Sequence, residues 1–311
     1  MSRFLVSGGA GFIGSHIVEA LVRKGHRVRV LDNFSSGKKD NLRPVIKEIE
    51  LIRGDIRSLN TCQKAIKGID FVLHQAALRS VPKSMKQPQL YNEVNIGGTL
   101  NMLMASARNK IKRFVFASSS SIYGDVKNFP EKEDFLPCPF SPYALTKLTG
   151  EHYCRIFSSH YGLEAVSLRY FNVFGERQSL DDEYTVVIPK FISCLLNDEA
   201  PPVYGNGKQS RDFTYVLNVV NANLLAVKMP CARGEVFNVA SGRNYTVLEL
   251  AEILNRIMKK NIKPVFLKPR SGDIFKTHAD LSRARKYLTF TPKVDFITGL
   301  GLTVNYYKEK R

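Results

Sequence analysis

The stretch Phe4-Leu5-Val6-Ser7-Gly8-Gly9-Ala10-Gly11-Phe12-Ile13-Gly14 constrains this chain more than any other. A short apolar run suited to a buried strand passes at once into a glycine-rich turn, and Ile13, Ile17, Ala20 and Leu21 then recur at helical spacing. Strand, glycine turn and helix together make an anion cradle. The glycines let a pyrophosphate approach the backbone, and the helix N-terminal amides receive it. A second strand, Arg27 to Leu31, ends in Asp32, 24 residues beyond Gly8. That is the place of the carboxylate that meets the adenosine ribose of a dinucleotide. A carboxylate there repels the 2′-phosphate of NADP, so the reading is NAD.

Strands and helices then alternate. Ile49 to Ile52 leads to Asp55, Phe71 to His74 leads to Ala76-Ala77, and Phe114 to Phe116 leads to a run of serines. Helical segments fill the gaps, the longest expected from Leu90 to Arg108. This pattern predicts an α/β fold, a doubly wound parallel (Rossmann) sheet covered on both faces. Ligands of such sheets sit beyond the carboxyl ends of the strands, where Gly8, Asp32, Asp55, Ala76 and Ser118 all fall. A further strand, Ala165 to Tyr170, runs into Phe171-Asn172-Val173-Phe174-Gly175. After Gly175 the segments shorten and Gly and Pro recur more often. Leu217 to Met229 and Leu248 to Lys260 read as helices, and Glu235 to Val239 as a strand. The expected organisation is a cofactor-binding domain over 1–173, rejoined by 212–258, with a smaller α/β substrate lobe from 174–211 and 259–311. Lys308 to Arg311 reads as a solvated tail.

With 44% apolar and 24% charged residues, the chain has the composition of an ordinary globular protein. No apolar run approaches the ~18 residues of a membrane span. Met1-Ser2-Arg3 leads straight into the first strand without the architecture of a signal peptide, so the expected location is cytoplasmic, with no membrane partner. The five cysteines and six histidines lack the spacing of a metal site or a disulfide framework. A formal net charge of +18 raises nucleic-acid binding as a possible role. The basic residues are dispersed and not blocked into an arm, so no specific nucleic-acid partner is expected.

Acid–base chemistry is concentrated between Ser118 and Lys147. Ser118, Ser119, Ser120 and Ser121 precede Ile122-Tyr123-Gly124, and Ser141-Pro142-Tyr143 precedes Lys147. Ser141 suits a helix N-cap and Pro142 the first helical position. Tyr143 then opens the helix, with Lys147 one turn on along the same face. An unperturbed tyrosine has a pKa of ~10, and a nearby positive charge favours the phenolate. Tyr and Lys four apart are common on helices, so the weight of the pair comes from the surrounding motifs.

Those motifs are GGAGFIG at 8–14, Asp32, the serine run before Tyr123-Gly124, and Tyr143-x-x-x-Lys147. Together they resemble the extended short-chain dehydrogenase/reductase family nearly end to end. LRYFNVFG at 168–175, VIPKF at 187–191, SRDFTYV at 210–216 and PRSGD at 269–273 are similar to its UDP-hexose 4-epimerases, especially the branch acting on UDP-N-acetylglucosamine. The resemblance implies that Gly8, Gly11, Phe12, Ile13 and Gly14 hold the NAD pyrophosphate. Asp32 and Asn33 would meet the adenosine ribose, and Asp55 and Ile56 the adenine. Ala76, Ala77, Arg79, Asn95 and Ser118 would line the nicotinamide side, with Tyr170 near the ring. Many relatives carry Lys at the place of Arg79. Ser119, Tyr143 and Lys147 would be catalytic, and Ser121 would lie on the substrate side. Asn172 would meet the sugar-phosphate part, Tyr204 and Arg211 the uridine and phosphate, and Arg270 and Asp273 the phosphate and uridine ribose. Thr277, four residues after Asp273, would stand beside C2 of the sugar, where a small residue leaves room for an acetamido group.

The implied partner is a UDP-sugar. A homodimer built on Leu90–Arg108 and Leu145–Tyr161 is expected from the same resemblance. Sugar-nucleotide 4,6-dehydratases carry Asp-Glu after the catalytic Thr, whereas here Ser120 and Ser121 occupy those places and lack that acid–base capacity. UDP-glucuronate 4-epimerases or decarboxylases remain a rival reading. So does a non-enzymatic RNA-binding or regulatory relative, against which the intact Tyr143 and Lys147 argue.

Overall fold

Seven strands form the central sheet of the computed structural model, which describes residues 1–179, 187–230, 233–269 and 274–310. They are β1 (Arg3–Ser7), β2 (Arg27–Asp32), β3 (Ile49–Arg53), β4 (Phe71–His74), β5 (Arg113–Ser119), β6 (Ala165–Tyr170) and β7 (Glu235–Val239). All pair in parallel, in the order β7-β6-β5-β4-β1-β2-β3. Each expected strand is present, and β6 is buried along its whole length. That is why such segments read as nearly continuous apolar runs. The chain winds outward from β1 through β2 to β3, then returns to place β4 on the other side of β1. Strand order reverses there, and a crevice opens between the carboxyl ends of β1 and β4.

Helices cover both faces. Phe12–Arg23 and Val216–Lys228 pack together on one face. Leu59–Ile66, Gly98–Arg108 and Pro142–His160 lie on the other. The segment expected as one long helix from Leu90 is divided. A short helix, Pro88–Tyr91, leads into a π-helical turn, Asn92–Gly97, and regular helix resumes at Gly98. Within this turn the Asn95 side chain binds another loop. Its Oδ1 accepts from Leu78 N at 2.8 Å, and its Nδ2 donates to Leu78 O at 2.9 Å and Thr146 Oγ1 at 3.1 Å. Such π-turns often mark functional regions. Among the described residues the longest helix is Pro142–His160, with 19 residues.

A second hydrophobic core gathers beyond the carboxyl ends of the strands. Phe174, Phe191, Val203, Phe213, Tyr215 and Phe296 are among its members. Three two-stranded ribbons frame it, pairing 173–174 with 214–215, 210–211 with 245–246, and 202–204 with 265–267. Helix Val247–Met258 contributes Val247, Leu250 and Leu254 to this core. By contrast, Ala279, Leu281, Ala284, Leu288 and Phe290 pack into the core of the large sheet. The final helix runs Phe296–Glu309, capped by the Asp295 side chain. Lys308, Glu309 and Lys310 are exposed, as expected of a solvated end, but Lys308 and Glu309 finish this helix instead of forming a loose tail, and Arg311 lies outside the described residues. No helix among the described residues is long and apolar enough to cross a membrane.

Candidate active site

The site starts at the turn after β1. Gly8 adopts φ +70°, and a Cβ there would stand 2.6 Å from the Ala76 backbone nitrogen. Only glycine lets the two strand ends come this close. Gly14 opposes the Gly8 carbonyl in the same way. Helix Phe12–Arg23 has no side-chain cap and no acidic residue in its first turn. Its N-terminal dipole is therefore left for an anion. Gly8, Gly11, Phe12, Ile13 and Gly14 line a cavity of about 490 Å³ across the β1/β4 crevice.

Asp32 closes one side of this cavity. Its Oδ2 accepts from Ala10 N at 2.9 Å and its Oδ1 from Phe34 N at 2.8 Å. Burial pushes the carboxyl up, while those two amides pull it back. Asn33 and Ile56 also line the cavity; Asp55 does not. The Asp55 carboxylate is taken by Arg57 and by Asn33 Nδ2, and these bonds hold it down at about 2. Asn95 likewise stands behind the wall, holding Leu78 in it.

Ala76, Ala77, Arg79, Ser118, Tyr143, Lys147 and Tyr170 meet at the other end. The Ser141 hydroxyl accepts from Ala144 N at 3.1 Å, so the helix starts where the sequence predicts. Lys147 is buried, donates to Ala117 O at 2.8 Å, and lies 5.9 Å from the centre of the Tyr143 ring. Burial pushes its ammonium down to about 8. The expected ionisation of Tyr143 calls on the cationic nicotinamide as well as Lys147, and in the protein alone the balance runs the other way. Burial pushes the phenol up, and a hydrogen bond from Ser119 and the charge of Arg79 pull it only partly back. Lys147 is directed to the Ala117 carbonyl, so in the protein alone the loss of solvent outweighs the positive charge. Ser119 accepts from Ser121 Oγ at 2.9 Å and Ser121 N at 3.2 Å. Its own proton is thereby left to point at the phenol.

Several functional side chains escaped the sequence reading. Gln75 lines the cavity and donates to the Tyr170 hydroxyl at 3.2 Å, beside Asn223 Nδ2 at 2.8 Å. Arg177 lines it too, paired with Glu19 of the first helix. Glu151 accepts from the Ser118 hydroxyl and from the Arg169 guanidinium fork at 3.0 and 2.8 Å. The available signal was spacing, since Tyr143, Lys147 and Glu151 recur every four residues on one helix face.

Among the described residues, Asn172, Tyr204, Arg211 and Thr277, expected on the substrate side, lie apart from the cavity wall. Asn172 sits at φ +34° and accepts from Thr277 Oγ1 at 3.0 Å. Tyr204 and Arg211 belong to the ribbons of the second core; Gln209 binds the Tyr204 carbonyl, and Arg211 donates to Ser210 O. Arg270 and Asp273 lie outside the described residues.

Residues 4–240 match the model of the NAD dependent epimerase/dehydratase family. The chain belongs to that family. This epimerase/dehydratase is similar over its whole length to several solved enzymes. A UDP-N-acetylglucosamine 4-epimerase from Methanobrevibacter ruminantium, in complex with UDP-N-acetylmuramic acid, is 42% identical, covering 100% of this chain and 99% of that one, with a TM-score of 0.96. A Thermotoga maritima UDP-glucose 4-epimerase with UDP-glucose is 38% identical over 99% of each chain, with a TM-score of 0.95. A Thermus thermophilus UDP-glucose 4-epimerase in complex with NAD is 36% identical, covering 98% of this chain and 99% of that one, with a TM-score of 0.90.

NAD is the cofactor of this epimerase/dehydratase, and the cavity fits it. The glycine cradle and uncapped helix suit a diphosphate, and the fixed Asp32 suits a ribose diol. Like charges brought together cost several kcal/mol, so binding titrations should favour NAD over NADP by ~100-fold or more. Asp32→Asn should narrow that gap; equal affinities in the wild type would remove Asp32 from the ribose.

Proposed function

We propose that this enzyme inverts C4 of a UDP-sugar through a transient 4-keto intermediate, and that it accepts UDP-N-acetylglucosamine as well as UDP-glucose. The observation that carries the reading is the meeting of Ser119, Tyr143 and Lys147 at one end of the NAD cavity. Ser120 and Ser121 stand where a dehydratase needs two carboxylates, so water elimination lacks its acid and base.

Gly8, Gly11, Phe12, Ile13 and Gly14 would hold the NAD diphosphate, Asp32 and Asn33 its ribose, and Ala76, Ala77 and Arg79 its nicotinamide side. Bound NAD supplies a reversible hydride acceptor for C4 and, when oxidised, a positive charge near the phenol. Tyr143 removes the proton of the sugar 4-hydroxyl and later returns it. Ser119 donates to the phenol oxygen as negative charge develops there. Lys147 keeps its charge below about 8 and anchors the end of β5 through the Ala117 carbonyl. Tyr204, Arg211, Arg270 and Asp273 grip the UDP part, which does not react. That remote binding retains the keto sugar while it swings to present its other face. On this reading 1–173 with 212–258 serves the cofactor and 174–211 with 259–311 the UDP-sugar, except that Val247–Met258 packs in the second core and Ala279–Phe290 in the first. We place the homodimer contact on the helices around Leu90–Arg108 and Leu145–Tyr161, where Met85, Phe140, Leu145 and Ile156 are exposed.

The test is incubation of the purified enzyme with UDP-glucose, UDP-N-acetylglucosamine and UDP-glucuronate, with the products separated. The C4 epimers of the first two are expected; conversion of UDP-glucuronate alone would overturn the reading. Thr277→Tyr should then lose the acetamido sugar selectively. Overfilling a packed site costs ~1–3 kcal/mol, or ~5–150-fold in kcat/KM, with UDP-glucose much less affected. An unchanged sugar preference would place the C2 gate elsewhere.

A further inference from the structure

Four consecutive backbone amides follow one another through the segment that carries Thr277, and each has a fixed acceptor. Thr277 N donates to Ser210 O at 3.1 Å, and His278 N to Glu131 Oε2 at 2.8 Å. Ala279 N donates to Asp212 Oδ2 at 3.2 Å, and Asp280 N to Glu131 O at 2.8 Å. Glu131 also donates its own backbone N–H to His278 O at 2.6 Å. It therefore binds this segment through its amide, its carbonyl and its side chain.

Glu131 belongs to the loop that leaves the serine run at Tyr123 and enters the Tyr143 helix. It is 1% exposed. Lys276 lies 4.7 Å over the Phe129 ring, bringing the same two stretches together once more. Asn238 of β7 donates to the carbonyls of both Glu131 and Asp280, at 2.9 and 3.2 Å. Thr277 itself is buried, accepts from Asp212 N at 3.0 Å and donates to Asn172 Oδ1 at 3.0 Å. A carboxyl is costly in such a place. Burial, with Asp212 nearby, pushes Glu131 up to about 7, and burial pushes Asp212 up to about 6. What the Glu131 side chain contributes in return is the acceptor for His278 N–H.

We infer that Glu131 is a positioning residue that fixes the backbone carrying Thr277 and thereby sets the room left beside C2 of the sugar. The inference rests on the reading of Thr277 as the C2 gate. Glu131 links the loop leaving the catalytic serines to that gate, so the sugar's reacting end and its C2 substituent are registered against one another. Removing the side chain orphans the His278 amide and frees the segment to shift. A misplacement of ~1 Å is enough to cost ~100-fold in rate in a positioned site.

The experiment compares Glu131→Gln, Glu131→Asp and Glu131→Ala with wild type and Thr277→Tyr, measuring KM and kcat for both sugars and NAD affinity by titration. Gln keeps an oxygen within reach of the same amide and should retain the wild-type sugar preference. Asp withdraws the acceptor by one methylene while keeping a carboxyl. It should change the ratio of kcat/KM for the two sugars by ~10-fold or more, mainly through KM, with NAD affinity unmoved. Ala should do the same or more, and if it fails to fold the Gln and Asp pair still decides. Wild-type preference in Glu131→Asp, with Thr277→Tyr altering preference, would overturn the role of Glu131 alone. No change in Thr277→Tyr would overturn the gate and this inference together.

Discussion

Tyr143→Phe is expected to lose nearly all turnover, by ~10²–10⁴-fold, while melting and binding NAD almost as the wild type does. Phe keeps the ring that lies 5.9 Å from Lys147 Nζ and fills the same place at the start of the helix. It removes only the oxygen that exchanges a proton with the sugar. Burial already holds the phenol above the usual tyrosine range, so no other protonation state compensates. Ser119 remains, but its hydroxyl ordinarily lies far above the working pH and cannot replace the base. Turnover assays beside a thermal melt and an NAD titration check this. Near-wild-type turnover would end the mechanism; lost NAD affinity would mean that Tyr143 chiefly holds the cofactor.

Glu151→Ala is expected to destabilise the fold by roughly 3–5 kcal/mol, because it strands a charge. Arg169 and Glu151 have side chains only 4% and 5% exposed. The guanidinium lies inside the sheet, with Nε and one terminal nitrogen on the carboxylate and the other on the Tyr123 hydroxyl at 2.9 Å. Without Glu151 it keeps its charge and loses its counter-ion. The melting temperature should fall by roughly 5–8 °C. Glu151→Ala with Arg169→Met should recover much of the loss, since no buried charge then remains. Equal destabilisation in the single and double variants would assign the effect to packing.

The contrast between these two glutamate- and tyrosine-centred sites matches what could be read in the sequence. Tyr143 was legible because local rules place it: Ser141 caps, Pro142 starts the helix, and the next residue opens it. Asp32 was legible because strand length and helix length fix its distance from Gly8. Parallel strands were legible because burial on both faces makes them apolar runs. Glu151, Glu131 and Asn95 act through partners 17 to 147 residues away in the chain, and local pattern carries no record of such pairings. Asp55 shows a partner that the strand-end pattern did not reveal. Its place at a strand end is as expected, yet Arg57, two residues on, captures its carboxylate. The terminal lysines read as a tail because charge alone was visible there, while the helix they finish is held by Leu300, Val304 and Tyr307.

The interleaving of the two cores bears on how the molecule comes apart. The chain enters the second core at Phe174, returns to the sheet by the helix Val216–Lys228 and β7, and goes back through Val247. It then crosses once more to leave Ala279–Phe290 in the first core before its last helix ends in the second. Neither core is therefore a continuous length of chain. Cutting after β7 would not release a self-sufficient cofactor domain, since the sheet would lose Leu281, Ala284, Leu288 and Phe290 from its interior. Melting either core would disturb elements packed in the other, so a thermal melt followed by two probes, one in each core, is expected to show one shared transition.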